Sequence, residues 1–206
     1  LASWACVLMF TATGHAAGVP SSPYLGYVYK YADAMLDKGR DVYGPQKTML
    51  FLSVLDRTTL APLTTRPASP GGIRREDRAG APWEALVGAN PHVDENFLRL
   101  LYVLKGLSQK AAYADAADHE LKFFLENAAS PETQLLAWGE HMFWNVMTDE
   151  PNPKGDAVHE FARPWMLWDR CYELAPGASK KFALALWEHQ IADHKTLPGV
   201  KELQGR

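Results

Sequence analysis

The sequence predicts an all-α fold made of helical hairpins, with long loops and little strand. Apolar residues recur every three or four positions in several segments, and Gly or Pro stands at the ends of these segments. Two such segments adjoin near residue 108 with almost no linker, as in an antiparallel helical hairpin. The chain has 206 residues, of which 47% are hydrophobic, so it can enclose one core or part of a larger one.

The first residues have the composition of a targeting segment. Residues 1–13 are almost wholly apolar, and residues 14–17 have the small-x-small pattern of a cleavage site. We therefore expect residues 1–17 to be a signal peptide, with its start truncated because no Met and no basic segment precede it, and residues 18–206 to be the mature domain. The apolar run is too short to span a bilayer. The alternatives are a buried N-terminal helix and a lipoprotein site at Cys6.

The first helix of the mature chain is predicted over residues 23–38, because apolar side chains recur there at helical spacing. Gly39 follows Lys38 at the position where glycine commonly ends a helix. Residues 40–63 combine an apolar run with turn residues, and residues 64–82 are rich in Pro, Gly and Arg. We therefore expect a long surface loop after the first helix.

The central hairpin is predicted to begin at Asn90-Pro91, since Asn is a preferred N-cap and Pro fits the first turn. The apolar face of its first helix is predicted to be Phe97, Leu100, Leu101, Leu104 and Leu107. The second helix is predicted from about Gln109 to Ala128. Its apolar stripe is predicted to be Tyr113, Ala117, Leu121, Phe124 and Ala128.

The elements of the C-terminal part are shorter. Residues 138–146 are too aromatic and too few for a helix and predict a short strand or a loop, and residues 151–155 predict a turn. Two more helices are predicted over residues 161–174, starting near Pro164, and over residues 176 to about 194. Hairpins of unequal length without a repeat of about 34 residues favour part of an α/α toroid over a TPR-type solenoid. We therefore expect the mature chain to be a partial α/α-toroid domain.

Charge and motifs exclude several function classes. The net charge is −3, and no basic stripe or polybasic segment is present. The sequence thus predicts no nucleic-acid partner, and the lack of a long apolar run predicts no membrane span. It contains no HExxH zinc motif, no GxSxG nucleophile motif and no glycine-rich phosphate loop.

The densest group of polar and aromatic residues is residues 138–141 (WGEH), followed by Trp144 and by His159-Glu160. Imidazole together with carboxylate suits a divalent transition metal, whereas an all-oxygen site suits calcium better. The alternative is that both histidines cap backbone groups while both glutamates are solvated. Trp138 and Trp144 flank the His-Glu group and are candidate platforms for a sugar ring, with a place in the core as the alternative.

Other polar and aromatic residues are expected to be structural. His119, between Asp118 and Glu120, is predicted to lie on an exposed helix face, and His92 in the first turn of the hairpin. Three tryptophans at helical positions are predicted to be core residues: Trp165, Trp168 and Trp187.

Four segments resemble a bacterial family related to pectate lyases and other α/α-toroid carbohydrate enzymes. Residues 31–45 (YADAMLDKGRDVYGP) resemble the start of the family. Residues 138–141 resemble its WGGH segment, and residues 159–161 resemble its later HE segment. Residues 169–182 resemble the helix pair that follows, so the resemblance covers most of residues 23–196.

The resemblance to family-2-type pectate lyases implies a secreted or periplasmic enzyme that cleaves an acidic polysaccharide such as pectate by β-elimination. It implies that His141 and Glu160 are ligands of a divalent metal ion, Mn or Ca, which binds the uronate carboxylate. The family's Arg-His pair is expected soon after His194, but residues 195–199 read KTLPG, so the catalytic residues stay unknown. One alternative is a glycoside hydrolase of the same fold that uses Glu140 and Glu160, and another is a non-catalytic binding module or fragment.

Overall fold

The computed structural model describes residues 22–61, 63, 88–139, 142–152 and 164–190. Within these ranges there are five helices: α1 (Leu25–Lys38), α2 (Pro91–Ser108), α3 (Ala111–Asn127), α4 (Trp168–Leu174) and α5 (Pro176–Gln190). Three short strands accompany them: β1 (Gly88–Ala89), β2 (Phe143–Asn145) and β3 (Glu150–Asn152). The predicted mostly helical class is confirmed. No helix of the described part is long and apolar enough to cross a membrane.

The predicted hairpin of α2 and α3 forms the centre of the core. The stripe predicted for α3 is confirmed, because all five of its residues are buried. The face of α2 is turned slightly from the prediction: Leu98, Leu101 and Leu104 are buried, whereas Leu107 is 37% exposed. The buried leucines of α2 are spaced three residues apart, which is shorter than the about 3.6 residues of one helical turn. The buried stripe therefore drifts around the helix along its length.

Polar side chains join the outer helices to this hairpin. Tyr113 on α3 donates its hydroxyl to Asp33 Oδ1 on α1 at 2.6 Å. On the other side, Arg170 of α4 donates through Nε to Asp118 Oδ1 of α3 at 2.8 Å, and the Tyr102 hydroxyl of α2 donates to the same oxygen at 2.8 Å. Asp118 therefore links three helices, and the Asp118 carboxylate raises the pKa of Arg170 above its ordinary value.

The end of α1 matches the sequence, whereas the beginning of α4 does not. α1 ends at Lys38, and the Gly39 N–H donates to the Met35 carbonyl, as predicted for a glycine after a helix. The helix predicted from Pro164 begins only at Trp168. Met166 N–H donates to the carboxylate of Glu95 instead of entering a helical turn, which explains the late start. Residues 161–163 and 191–194 lie outside the described part.

The three strands form one small antiparallel sheet in the order β1-β2-β3. Ala89 pairs with Trp144, and Trp144 pairs with Pro151. The strand alternative for residues 138–146 is thus confirmed over Phe143–Asn145. The turn predicted at residues 151–155 is wrong in its first two residues, which belong to β3, because the chain turns earlier, where Asn145 Oδ1 accepts the Met147 N–H at 2.9 Å.

Residues 39–52 form an extended loop that returns on itself and lies across α3. The Asp41 N–H donates to the Leu50 carbonyl at 2.8 Å, and the Leu52 N–H donates to the Gly39 carbonyl at 2.9 Å. The far end of the loop contacts the β2–β3 turn, where the Gln46 N–H donates to Asp149 Oδ2 at 2.8 Å. The loop therefore connects the end of α1 to the sheet.

Gly44→Ala is expected to lower the free energy of unfolding by about 1–3 kcal/mol. Gly44 has a φ of +53°, and an added Cβ would lie 2.3 Å from the Val146 carbonyl oxygen, which belongs to the backbone and cannot move aside cheaply. Urea denaturation of both proteins measures the difference. Gly106→Ala is the matched control: a Cβ there meets nothing within 4 Å, so it should raise stability by up to about 1 kcal/mol. Equal midpoints for the two variants would contradict the contact.

Candidate functional site

Three buried polar side chains lie at the beginning of α2: Asn90, His92 and Glu95. We call these three residues the α2 start. A buried polar group is costly unless it is hydrogen-bonded, so such a group is held in place by specific partners. The partners of the α2 start belong to the segments that precede and follow the predicted site.

Asn90 occupies the N-cap position of α2, but its side chain makes no capping bond. Its Nδ2 donates instead to the Gly139 carbonyl at 2.8 Å and to the Met142 carbonyl at 2.9 Å. The Gly139 N–H donates to Asn90 Oδ1 at 3.4 Å. Carbonyl oxygens only accept, so the amide must turn its NH₂ group toward them. Asn90 thereby fixes both ends of the tetrapeptide 139–142.

Glu95 and His92 contact the segment on the other side of the site. The Met166 N–H donates to Glu95 Oε1 at 2.6 Å. The ring centre of His92 lies 5.8 Å from that of Trp138 and 6.3 Å from that of Trp165. The α2 start therefore contacts the chain on both sides of residues 140–141 and just after residues 153–163, the two stretches that contain the predicted ligands.

The predicted metal ligands His141 and Glu160, with Glu140 and His159, lie outside the described residues. Within the described part, no group of three or more His, Cys, Asp or Glu side chains is arranged to hold a metal ion. The metal site therefore stays a prediction for residues 140–141 and 153–163. The side chains that hold the flanking segments lie in the described part, at the α2 start.

Both tryptophans predicted to bind sugar are buried. Trp138 is 1% exposed, and its ring centre lies 4.7 Å from Trp165 and 5.2 Å from Phe182. Trp144 packs edge-on against Phe123 at 5.0 Å. Such burial is typical of core side chains, which is the alternative for both residues, and the sugar-stacking role stays a prediction.

The predictions for the other tryptophans are confirmed in two of three cases. Trp165 is buried and Trp168 packs against the core, but Trp187 on α5 is 46% exposed, so its predicted core position is wrong. Helix α5 buries Phe182 and Ala185, and Trp187 lies off that face. His92, expected only as a residue of the first turn, is a buried member of the α2 start.

His119 is exposed, as predicted, but the exposed face does not include the neighbouring Glu120, whose side chain is 0% exposed. The loop 39–52 covers this side of α3: the Phe51 N–H donates to Glu120 Oε2 at 2.8 Å, and His119 Nε2 contacts the Thr48 carbonyl oxygen at 2.5 Å. Glu120 Oε1 is buried and has no hydrogen-bond partner among the described residues. Burial raises the pKa of Glu120 to about 8, although the Phe51 N–H bond opposes the change.

A pattern in the sequence does identify Glu120 as an inward residue. It stands three positions after Ala117 and four before Phe124, so it falls within the apolar stripe of α3. Because glutamate is charged, Glu120 was not assigned to the apolar stripe. A buried carboxyl with a raised pKa is a functional candidate in general, but Glu120 contacts the loop backbone, and none of its bonds reaches the α2 start.

A cleft of about 340 Å³ lies between α1, residues 51–60 and the beginning of α2. Its walls are mostly apolar, with Tyr31 and Phe97 among them, and its polar groups include Arg57 and Asp94. The Ser53 hydroxyl donates to Asp94 Oδ2 at 2.7 Å. Burial, and then the nearby Asp94 charge, raise the pKa of Tyr31. Of the predicted site residues that the structure describes, neither Trp138 nor Trp144 lines this cleft.

Comparison with known proteins gives two findings. The family model described as periplasmic pectate lyase matches residues 72–199, which contain the α2 start, both predicted ligands and helices α2 to α5. A pectate disaccharide-lyase of Dickeya dadantii (strain 3937) is 24% identical over 106 residues. Those residues are 50% of this chain and 19% of that protein, so the similarity spans about a fifth of the relative's length.

Proposed function

Because the chain belongs to the periplasmic pectate lyase family, we propose that it cleaves a polyuronate such as pectate by metal-assisted β-elimination. The observation that carries the proposal is the family match over residues 72–199, which includes His141 and Glu160 in the order that the resemblance implies. The name of the Dickeya relative, a pectate disaccharide-lyase, supports pectate as the substrate. A secreted or periplasmic location and a partial α/α-toroid architecture belong to the same proposal.

In this proposal the His141 imidazole and the Glu160 carboxylate hold a divalent ion, Mn²⁺ or Ca²⁺. The donor set fits, since nitrogen and oxygen ligands together suit Mn²⁺, while Ca²⁺ favours oxygen. When bound, the ion would stabilise the negative charge that develops as the proton beside the uronate carboxylate is removed. The role of the α2 start is to hold the segments that carry both ligands.

His141→Ala is expected to lower the rate of product formation from polygalacturonate by about 100-fold or more, because it removes a ligand of the charge-stabilising ion. The assay incubates the chain with polygalacturonate and with Mn²⁺, Ca²⁺ or a chelator, and follows the near-ultraviolet absorbance of the unsaturated uronate. Glu160→Gln should give a similar loss. His189→Ala is the matched control, since His189 is exposed near the end of α5, and its activity should equal that of the wild type.

The outcomes separate the lyase from the other classes. New reducing ends without ultraviolet absorbance would indicate hydrolysis and contradict the lyase. If the chain folds, as judged by helical circular dichroism, and forms neither product, a non-catalytic binding module would be favoured. An absorbance increase that persists in the chelator would contradict the metal while leaving β-elimination in place.

A further inference from the structure

We propose that Asn90 is a positioning residue for His141, because its side-chain amide fixes both ends of the segment in which His141 lies. This inference deepens the proposed function and rests on it, since that proposal makes His141 a metal ligand. Asn90 itself is placed beside neither metal nor substrate. Its effect passes through the backbone of Gly139 and Met142.

The bonds of Asn90 differ from those expected of an N-cap residue. An N-cap asparagine ordinarily accepts a bond from an N–H of the first helical turn. In α2 the Val93 and Asp94 N–H groups donate to the Asn90 backbone carbonyl, at 3.0 and 3.1 Å. The side chain is therefore available for the two carbonyls of the segment 139–142, and the helix begins without it.

The range of these bonds also distinguishes Asn90 from two other side-chain amides of the described part. The Asn127 amide donates to the Phe123 carbonyl four residues away, and the Gln109 amide donates to the Gly106 carbonyl three residues away. Such bonds stabilise only their own turn. The Asn90 amide joins residues 49 and 52 positions away and is buried while it does so.

The sheet shows why the segment needs this support. Ala89 pairs with Trp144, and that pair is the last of the β1–β2 ladder toward α2. At the next position the chain leaves the strand and begins α2, so the backbone ladder stops. The Asn90 side chain continues it by bonding the Met142 carbonyl and then the Gly139 carbonyl. Gly139 has a φ of +114°, which marks a sharp bend there.

Groups that hydrogen-bond to metal ligands typically change metal affinity by about 10–100-fold when they are removed, and we expect Asn90 to act on His141 in the same way through the backbone on either side of it. Asn90→Ser is the sharpest variant. Serine is also a favoured N-cap residue, so α2 should persist, but a hydroxyl has one proton and cannot donate to both carbonyls. Asn127→Ser is the matched control, because Asn127 is an exposed asparagine whose amide bonds only within α3.

The experiment measures Mn²⁺ binding by titration calorimetry and hydrogen exchange of peptides over residues 138–146, both without substrate. Asn90→Ser is expected to raise the Kd for Mn²⁺ by about tenfold or more and to speed exchange over residues 138–146. Asn127→Ser should change neither. A purely structural role for Asn90 would lower the Tm but leave the Mn²⁺ affinity of the folded protein unchanged, and that result would overturn the inference.

Two further arms keep the test decisive. If the wild-type chain does not bind Mn²⁺, both the metal of the proposed function and this inference are refuted. If the wild type binds Mn²⁺ and Asn90→Ser binds it with equal affinity, only the inference is refuted. If Asn90→Ser fails to fold, NMR on the wild-type chain tests the bonds of Asn90 directly. The Asn90 side-chain amide protons should exchange with solvent far more slowly than those of exposed Asn127, and similar rates would refute the bonds to Gly139 and Met142.

Discussion

Trp138→Ala is expected to lower the free energy of unfolding by about 3–5 kcal/mol, the usual cost of deleting a fully buried tryptophan. The ring is 1% exposed and packs against Trp165, Phe182 and His92. Removing it deletes one of the largest buried side chains and leaves a cavity that the neighbouring rings cannot fill. Urea denaturation followed by circular dichroism measures the change.

The control for this prediction is Trp187→Ala, which deletes the same side chain at a position that is 46% exposed. Its expected cost is below about 1 kcal/mol, as for surface substitutions generally. The comparison also tests the sugar-stacking hypothesis for Trp138. A Trp138→Ala protein of nearly unchanged stability whose KM for polygalacturonate rises would support a stacking role and contradict the packing described above.

The second large effect concerns Glu120 and the pH dependence of stability. The pKa of Glu120 is about 8 in the folded chain, against an ordinary value of 4.5. The folded state therefore keeps a proton that the unfolded state loses as the pH rises above 4.5. The contribution of this proton to the free energy of unfolding is complete below pH 4.5 and is lost as the pH rises to about 8. Each pH unit in this window costs about 1.4 kcal/mol, so the total is several kcal/mol.

Glu120→Gln should remove this dependence, because a glutamine keeps the shape and an acceptor for the Phe51 N–H but has no proton to lose. We expect the stability of the variant to exceed that of the wild type increasingly as the pH rises through the window. Arg40 acts in the opposite direction, since its charge lowers the pKa of Glu120, while Asp94 and Asp41 raise it. The measurement is urea denaturation at several pH values.

Glu126→Gln is the control for the same charge change, since Glu126 is an exposed partner of Lys122 on α3. Its stability should follow the wild-type pH profile closely. If the profiles of wild type and Glu120→Gln run parallel from pH 4.5 to about 8, then Glu120 ionises in the folded chain as it does in the unfolded chain, which would contradict its burial.

Local patterns predicted the helices well because each helix encodes its own apolar stripe. All five residues of the α3 stripe are buried, and α1 ends at Lys38 as its glycine indicates. The errors fall where distant residues decide the structure. Glu95 takes the N–H of Met166 and delays α4, and the loop 39–52 covers Glu120. The contact of Glu95 leaves no trace in the spacing of nearby residues. The spacing does place Glu120 within the apolar stripe of α3, but it does not show which segment covers it.

The predicted site depended on resemblance more than on pattern. His141 and Glu160 are 19 positions apart, and no helical or strand period relates them. The supporting residues were missed for a different reason. Asn90 was correctly predicted at the start of a helix. Because asparagine is common at the N-cap position, this placement gave no reason to expect its bonds with Gly139 and Met142.

The junction of β1 and α2 fixes more than the direction of one helix. Only Asn90 separates the last strand residue, Ala89, from the first helical residue, Pro91. One added residue there would turn the helix by about 100° and shift it by about 1.5 Å relative to the sheet. His92 and Glu95 would then leave Trp165 and Met166, which they now contact. The number of residues at this junction therefore fixes the orientation of α2 relative to the sheet. An insertion here should destabilise the protein more than an insertion in the neighbouring loops.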